Sequence, residues 1–438
     1  MAHTQVDPGR SILPLCCVAV VAGAAIGFVG GAFRWCLRVA DRWRLDLLEW
    51  ANHAPGPGWL VPVAVTAIAA AAGAAVVRWV PLASGSGIQH VEAVARGEAR
   101  SAPLHLVPTK FLGGLVAIGG GLVLGREGPT VHMGAAIGAE TGRRAHLSDD
   151  DVRVSQSAIA GAGLAVAFNA PIGGALFTIE EVTHSFRPRI VVPTLLGVAV
   201  AVACSRLVLG DHPDFAVDLG SPPGVEWLPL FVVFGLVTGP LGIAYNRLVL
   251  RFLEFSSVAS TRIPPIALAA LIGALVGALM IIDPLAAGGG DTLTQRIIGG
   301  GTLLMPLVVT LLLVRFFAGP LSYAAGTPGG LFAPLLAVGA LWGVLFAGIA
   351  DAVLPLDVGA LTVPLSIVGM AAFFGATVRA PLTGIVIVIE MTATATLTVP
   401  MAAATAAAVL VAHIAGAPPI YDSLREHMLR GSEPPGSG

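Results

Sequence analysis

The segment Gly125-Arg126-Glu127-Gly128-Pro129-Thr130 places a carboxylate inside an apolar stretch that runs from Phe111 to Ile137. A carboxylate in such surroundings is costly and usually marks an ion or proton pathway. Proline suits the first position of a helix, so the spacing predicts a helix that begins near Pro129 and leaves free amides around Gly128 to Val131. Those amides and the helix dipole favour an anion. An ionised Glu127 can take that place itself and leave it when protonated, which is how a gate behaves. The plainer alternative is a salt bridge between Glu127 and Arg126 at a membrane surface.

Leu331 and Phe332, just before Pro334, and Ser86-Gly87-Ile88 offer a second and a third helix start. Three such ends converging would hold an anion without a full positive charge, so the ion could also leave. Glu180 and Glu181 close an apolar run from Leu164 to Ile179. A carboxylate there could take protons from water and pass them toward Glu127. Tyr421, one of three tyrosines, follows the last apolar span in Pro418-Pro419-Ile420-Tyr421. Its hydroxyl could donate to an anion, or its ring could anchor at the membrane interface.

The elements that carry these residues follow from composition. Of 438 residues 55% are hydrophobic and 11% charged, against about a quarter charged in a soluble domain. Apolar runs recur at 12–32, 60–77, 190–203, 228–244, 266–281, 303–314 and 396–412, so the chain reads as one α-helical, polytopic membrane domain. The 55 glycines and 32 prolines lie inside these runs as well as between them, which favours short, broken, closely packed helices. The first run lacks a small-residue cleavage site and reads as a retained helix. Arg34, Arg38, Arg42 and Arg44 follow it while only Arg10 precedes it; that bias would put the N-terminus outside, unless the arginines extend a long first helix. A net charge of -2 gives no nucleic-acid footprint, and Cys16, Cys17, Cys36 and Cys204 have neither metal nor disulfide spacing.

The chain also repeats itself. Ala170-Pro171-Ile172-Gly173-Gly174 leading to Glu180 matches Ala380-Pro381-Leu382-Thr383-Gly384 leading to Glu390, 210 residues on. Gly125 to Gly134 pairs with Gly326 to Gly339 in the same sense. Glycine- and proline-interrupted segments at matching places in two halves are the mark of a transporter with its site at the repeat interface. The expected repeats span about 12–208 and 226–415, with a terminal helix at about 420–430. In this alignment Glu180 pairs with Glu390 and has a structural reading, whereas Glu181 faces Met391 and is the functional candidate.

Together these segments resemble the CLC chloride channel and transporter family. Its three signatures correspond here to Gly85-Ser86-Gly87-Ile88-Gln89, Gly125-Arg126-Glu127-Gly128-Pro129 and Gly330-Leu331-Phe332-Ala333-Pro334. The likeness extends through Lys110-Phe111-Leu112-Gly113-Gly114, Phe168-Asn169-Ala170-Pro171, Arg379-Ala380-Pro381 and Pro419-Ile420-Tyr421. It implies two inverted repeats and a homodimer with one pore per subunit, in the plasma (inner) membrane, with both termini cytoplasmic against the arginine count. It implies chloride held by the hydroxyls of Ser86 and Tyr421 and the amides of Leu331 and Phe332, with Glu127 as outer gate and Glu181 as inner proton acceptor. Chloride, protons and membrane lipid are the expected partners, with no cofactor and no metal. Small-residue helices at 172–205 and 381–412 are the expected dimer face.

Gln89 departs from the family pattern, which has proline there; the loss of a fixed φ should loosen that helix start and adds a polar group near the anion. Ser86 is the type that accompanies chloride, where proline would suggest nitrate and the fluoride branch lacks the serine. Enzyme readings are weak. Glu181-Val182-Thr183-His184 has the spacing of a di-iron ligand pair but no second copy, Ser86 and His90 lie on one helix, and Gly119 to Gly125 is not followed by the residues of a phosphate loop. Proton-coupled exchange is preferred over a passive channel, because Glu181 supplies the inner end of a proton route.

Overall fold

The computed structural model describes residues 11–432 apart from 54, 55, 218, 221 and 356. The polar residues 1–10, Arg10 among them, lie outside the described part. Seventeen α-helices follow one another: α1 (Leu13–His53), α2 (Leu60–Val77), α3 (Ile88–Ala95), α4 (Leu106–Gly119), α5 (Glu127–Arg144), α6 (Asp149–Phe168), α7 (Pro171–Phe177), α8 (Pro188–Leu209), α9 (Leu228–Ala259), α10 (Pro265–Leu279), α11 (Asp291–Ile298), α12 (Met305–Tyr323), α13 (Phe332–Val353), α14 (Thr362–Val378), α15 (Pro381–Thr392), α16 (Thr398–Ile414) and α17 (Ile420–Ser432). Among the described residues eight segments are long and apolar enough to cross a bilayer, and α4, α10 and α15 are apolar but shorter. α2 is framed by the exposed indoles of Trp59 and Trp79, about 30 Å apart along the axis at 1.5 Å per residue, the spacing of aromatic belts around a hydrocarbon core. The protein is a multi-pass membrane protein of all-α fold.

The four arginines do extend the first helix, which runs on to His53. The apolar run at Leu164 to Ile179, in contrast, is divided between α6 and α7 and ends in a π-turn at Thr178–Val182. α6 stops at Asn169, which adopts a left-handed conformation (φ 50°), and Pro171 opens α7. Proline disfavours α conformation in the residue before it, so the helix cannot pass through.

α5 and α6 carry more polar residues than a lipid-facing span tolerates, and both are buried inside a shell of more apolar helices. Small residues permit that burial. A Cβ on Gly134 would lie 2.3 Å from the carbonyl oxygen of Ile159, and one on Gly163 2.3 Å from that of Thr130. Gly339 and Gly369 form the same kind of contact between α13 and α14, each placing its missing Cβ 2.3 Å from the other's oxygen.

The two halves are related by an approximate two-fold operation that the side chains make explicit. Glu180, just past the end of α7, accepts from the amides of Leu382 (3.1 Å) and Thr383 (2.7 Å) at the start of α15. Glu390, near the end of α15, accepts from the amides of Ile172 (3.0 Å) and Gly173 (2.7 Å) at the start of α7. Each helix end reaches the other's beginning, so α7 and α15 are antiparallel neighbours and the repeats are inverted. Removing one cap leaves the Leu382 and Thr383 amides and the Thr383 hydroxyl (2.7 Å from Glu180) without this acceptor. Glu180→Ala should lower stability by about 1–3 kcal/mol, read as a fall in the unfolding midpoint of the detergent-solubilised protein, with Glu180→Gln intermediate.

A further correspondence escapes sequence comparison because it is short. Pro81-Leu82-Ala83 precedes α3, and Pro284-Leu285-Ala286 precedes α11. Gly85 and Gly87 (φ 60° and 92°) answer to Gly288 and Gly290 (φ 72° and 107°). A buried cation tethers each turn: Lys110 Nζ donates to the carbonyls of Ala83 (2.9 Å) and Gly85 (2.8 Å), and Arg315 donates to those of Leu285 (2.9 Å) and Ala287 (2.8 Å).

Candidate functional site

The starts of α3, α5 and α13 meet at one place. Backbone hydrogen bonds stitch the loops that lead into them: Gly85 N donates to Thr327 O (3.1 Å) and Gly329 N to Gly85 O (3.1 Å), while Gly125 and Gly330 exchange a pair at 2.7 and 2.8 Å. Gly128 is packed against Ser86 so closely that a Cβ there would lie 2.3 Å from the serine Oγ, and a Cβ on Gly330 would lie 3.1 Å from Gly128 N. Ser86, Glu127, Leu331 and Phe332, which the sequence places far apart, thus share one buried junction. Gly128→Ala should push Ser86 off its position and cost about 1–3 kcal/mol, measured as a lower unfolding midpoint of the detergent-solubilised protein.

α5 begins two residues earlier than expected, with Pro129 in its third position; α13 likewise begins at Phe332 with Pro334 third. Both prolines still lie in the first turn, where amides have no intrahelical acceptor, so the missing N–H costs nothing. The shift puts Glu127 at the head of its helix. Its carboxylate is completely buried and reaches across to α13, where Oε2 accepts from Ala333 N at 3.3 Å. Room for it comes from Gly125, whose Cβ would lie 2.0 Å from that oxygen. Among the described residues the other carboxylate oxygen has no partner, and the amides of Leu331 and Phe332 donate to no protein oxygen.

Arg126 does not pair with Glu127. Its guanidinium meets Asp291 (2.6 Å) and Asp214 (3.6 Å) and donates to the Ala167 carbonyl (3.1 Å). Asp214 in turn is bound by Arg34. The salt-bridge reading of Glu127 therefore gives way to one in which Arg126 fixes the loop and leaves the carboxylate to the helix starts.

Tyr421, at the head of α17, is wholly buried rather than at the interface, and its hydroxyl has no protein partner among the described residues. Phe332 is locked by Phe374 and Phe168, with ring centroids 4.2 and 5.0 Å away. Gln89 does not hang loose beside the junction. Its Oε1 accepts from Gly87 N at 3.2 Å, and its Nε2 lies 3.5 Å from the Tyr323 hydroxyl. Ile88 and Ala333 lie in the first turns of α3 and α13, both buried. His90 bonds His132 at 3.1 Å and not Ser86, which ends the serine-histidine reading.

Glu181 is carried by a different segment. It lies in a π-turn at Thr178–Val182 and is almost fully buried. The wider turn separates it from its neighbour Glu180, which turns to α15 while Glu181 faces Glu92 of α3, close enough for the two carboxyls to share a hydrogen bond. Arg425 of α17 approaches Glu92 (3.9 Å) and binds Asp422 (2.7 Å), which also takes Arg96 (2.9 Å). Sequence reading missed Glu92, Lys110 as a tether, Tyr323, Arg315 and Asp291. Lys110 and Arg315 were visible as single charges within apolar helices, a signal of functional or structural polarity.

Two clefts lead toward the junction and share no lining residue. One is walled by Asp41, Arg44, Arg126, Glu127, Asp291 and Arg315. The other is walled by Ser84, Gly85, Gly87, Gln89, Tyr323 and His427.

Residues 68–413 match the family described as voltage gated chloride channel. The chain belongs to this family. It is 34% identical over 436 residues to the H(+)/Cl(-) exchange transporter ClcA of Vibrio parahaemolyticus serotype O3:K6 (strain RIMD 2210633), covering 98% of this chain and 92% of that one. To the H(+)/Cl(-) exchange transporter ClcA of Salmonella arizonae (strain ATCC BAA-731 / CDC346-86 / RSK2980) it is 35% identical over 426 residues, 96% of this chain and 89% of the other. The fold superposes on a slow cyanobacterial Cl-/H+ antiporter with a TM-score of 0.88 at 28% identity, over 98% of this chain and 100% of that chain. A CLC-type fluoride/proton antiporter has the same fold at 19% identity, with a TM-score of 0.77 over 93% of this chain and 97% of the other. Voltage gated chloride channel family membership thus rests on nearly the whole chain, and the stitched junction of helix starts lies within the matched residues.

Proposed function

We propose that this protein exchanges chloride for protons across the plasma (inner) membrane. The observation that carries the reading is the buried Glu127 carboxylate, laid over the amide of Ala333 where three helix starts meet. A carboxylate held by the amides that favour an anion competes with that anion for one place, and protonation removes the competitor. The similarity to transporters named for H(+)/Cl(-) exchange supports the same reading.

In this mechanism chloride passes between the two clefts through the junction, held by the Ser86 and Tyr421 hydroxyls and the free amides of Leu331 and Phe332. All are neutral donors, so the ion is dehydrated without being trapped. The cleft with Arg126 and Glu127 opens outward and the cleft with Gln89 and His427 inward. Glu127 gates the outer side; Glu181, beside Glu92, takes protons from the inner side. Residues of about 12–208 and 226–415 form the two repeats of a single transport domain, with α17 closing its inner face. No cofactor takes part. Two copies pair through 172–205 and 381–412, where Ile172, Leu195, Leu382, Val399 and Leu410 present apolar surface suited to close packing in lipid.

The test is proton movement in sealed liposomes holding the purified protein, driven by a chloride gradient with the voltage clamped at the proton equilibrium potential. Uphill proton movement is the expected result. Chloride flux without it would make the protein a passive channel.

A further inference from the structure

The three helix starts at the junction are covered differently. The start of α13 is crossed by the Glu127 carboxylate at Ala333 and is otherwise uncovered at Leu331 and Phe332. At the start of α3 the amides of Ser86 and Gly87 are taken by two neutral oxygens of other residues, while the Ile88 amide faces Ser86 Oγ at 3.5 Å. Ser86 N donates to the Tyr323 hydroxyl at 3.4 Å, and Gly87 N donates to Gln89 Oε1 at 3.2 Å. The two oxygens belong to one linked unit, since Gln89 Nε2 reaches the same hydroxyl at 3.5 Å. Tyr323 is the last residue of α12 and is nearly buried. Gly85 makes space for it, because a Cβ there would lie 3.0 Å from the hydroxyl. Both Tyr323 and Gln89 line the cleft that also exposes Gly85 and Gly87. A small anion coming up this cleft therefore meets the Ser86 and Gly87 amides already engaged.

We propose that Gln89 and Tyr323 form a neutral cap that lowers the affinity of the α3 start for an anion, standing where the anion would stand rather than serving as its ligands. The proposal rests on the reading that an anion passes this junction. Oxygens that accept from an amide cannot at the same time present that amide to an anion, so the anion must displace the cap before it binds. A neutral competitor is displaced more readily than a charged one, and the cap thereby limits retention at the inner mouth without closing it. Gln89 has this role only because it is not proline: proline has no side-chain oxygen to return to Gly87.

The test is a chloride titration by calorimetry of the full-length protein in detergent, comparing the unmodified chain with Tyr323→Phe and Gln89→Pro. Tyr323→Phe keeps the ring and removes only the oxygen, so it decides the question even where Gln89→Pro fails to fold. The expected result is chloride binding about three- to tenfold tighter in each variant, the size of one ordinary hydrogen bond returned to the anion. Damage to the fold would weaken binding, so a gain separates the cap from a structural role. Binding that is unchanged or weaker in a folded Tyr323→Phe overturns the cap while leaving exchange in place. Absence of chloride binding in the unmodified protein overturns the functional reading and the cap with it.

Discussion

Glu127→Gln should abolish proton movement while chloride still passes. The substitution keeps the shape of the side chain, and the carboxamide oxygen can still accept from Ala333 N as the carboxylate does at 3.3 Å. The junction should therefore fold as before, with the space left by Gly125 unchanged. What is lost is the negative charge and the ability to gain and release a proton. An uncharged group competes poorly with chloride for helix-start amides, so the outer side stands open to the anion at any pH. In sealed liposomes the variant should carry chloride down its gradient with proton movement no greater than in protein-free vesicles. The pH dependence follows the same logic. In the proposed mechanism protonation of Glu127 opens the unmodified protein, so its chloride flux should rise as pH falls, whereas the glutamine variant should be flat. A Glu127→Gln protein that still drives protons uphill, or keeps the acid-stimulated flux, would remove Glu127 from the gate.

Much of this arrangement was legible in the sequence because it is made of residues that are scarce in apolar helices. A single carboxylate at 127, prolines at 129 and 334, and glycines around them mark helix starts whatever the surroundings. The repeated Ala-Pro and distant Glu pointed to a paired structural role for Glu180 and Glu390, and their reciprocal capping of α15 and α7 is that role. Other parts depended on tertiary contacts. The two-residue shift in the start of α5 reflects freedom that any first turn has. The division of α6 from α7 at Asn169 was masked by continuous apolar composition, although Pro171 was its signal. Arg126 has a neighbour of opposite charge in sequence, yet its partners are Asp291 and Asp214, because adjacent residues at a helix start point in different directions. Gln89 could be recognised as a departure, but its engagement with Gly87 and Tyr323 required the end of α12 to arrive beside it.

Glu181→Gln should also stop proton movement, but with a different signature. Glu181 sits on a different segment from Glu127, in the π-turn at Thr178–Val182, where its carboxyl faces that of Glu92. Glutamine there keeps the packing of the π-turn and leaves the Glu180 cap on Leu382 and Thr383 in place. Chloride flux should persist, and it should keep its rise at low pH, because Glu127 can still be protonated from the outer cleft. Retained acid stimulation without proton transport is thus the mark of a severed inner route, whereas a flat pH profile is the mark of a lost gate. The measurement is the same liposome experiment run across a series of external pH values, with both variants side by side. An unchanged proton-to-chloride ratio in Glu181→Gln would exclude it as the inner acceptor and shift that role to Glu92, which shares its buried site next to Arg425.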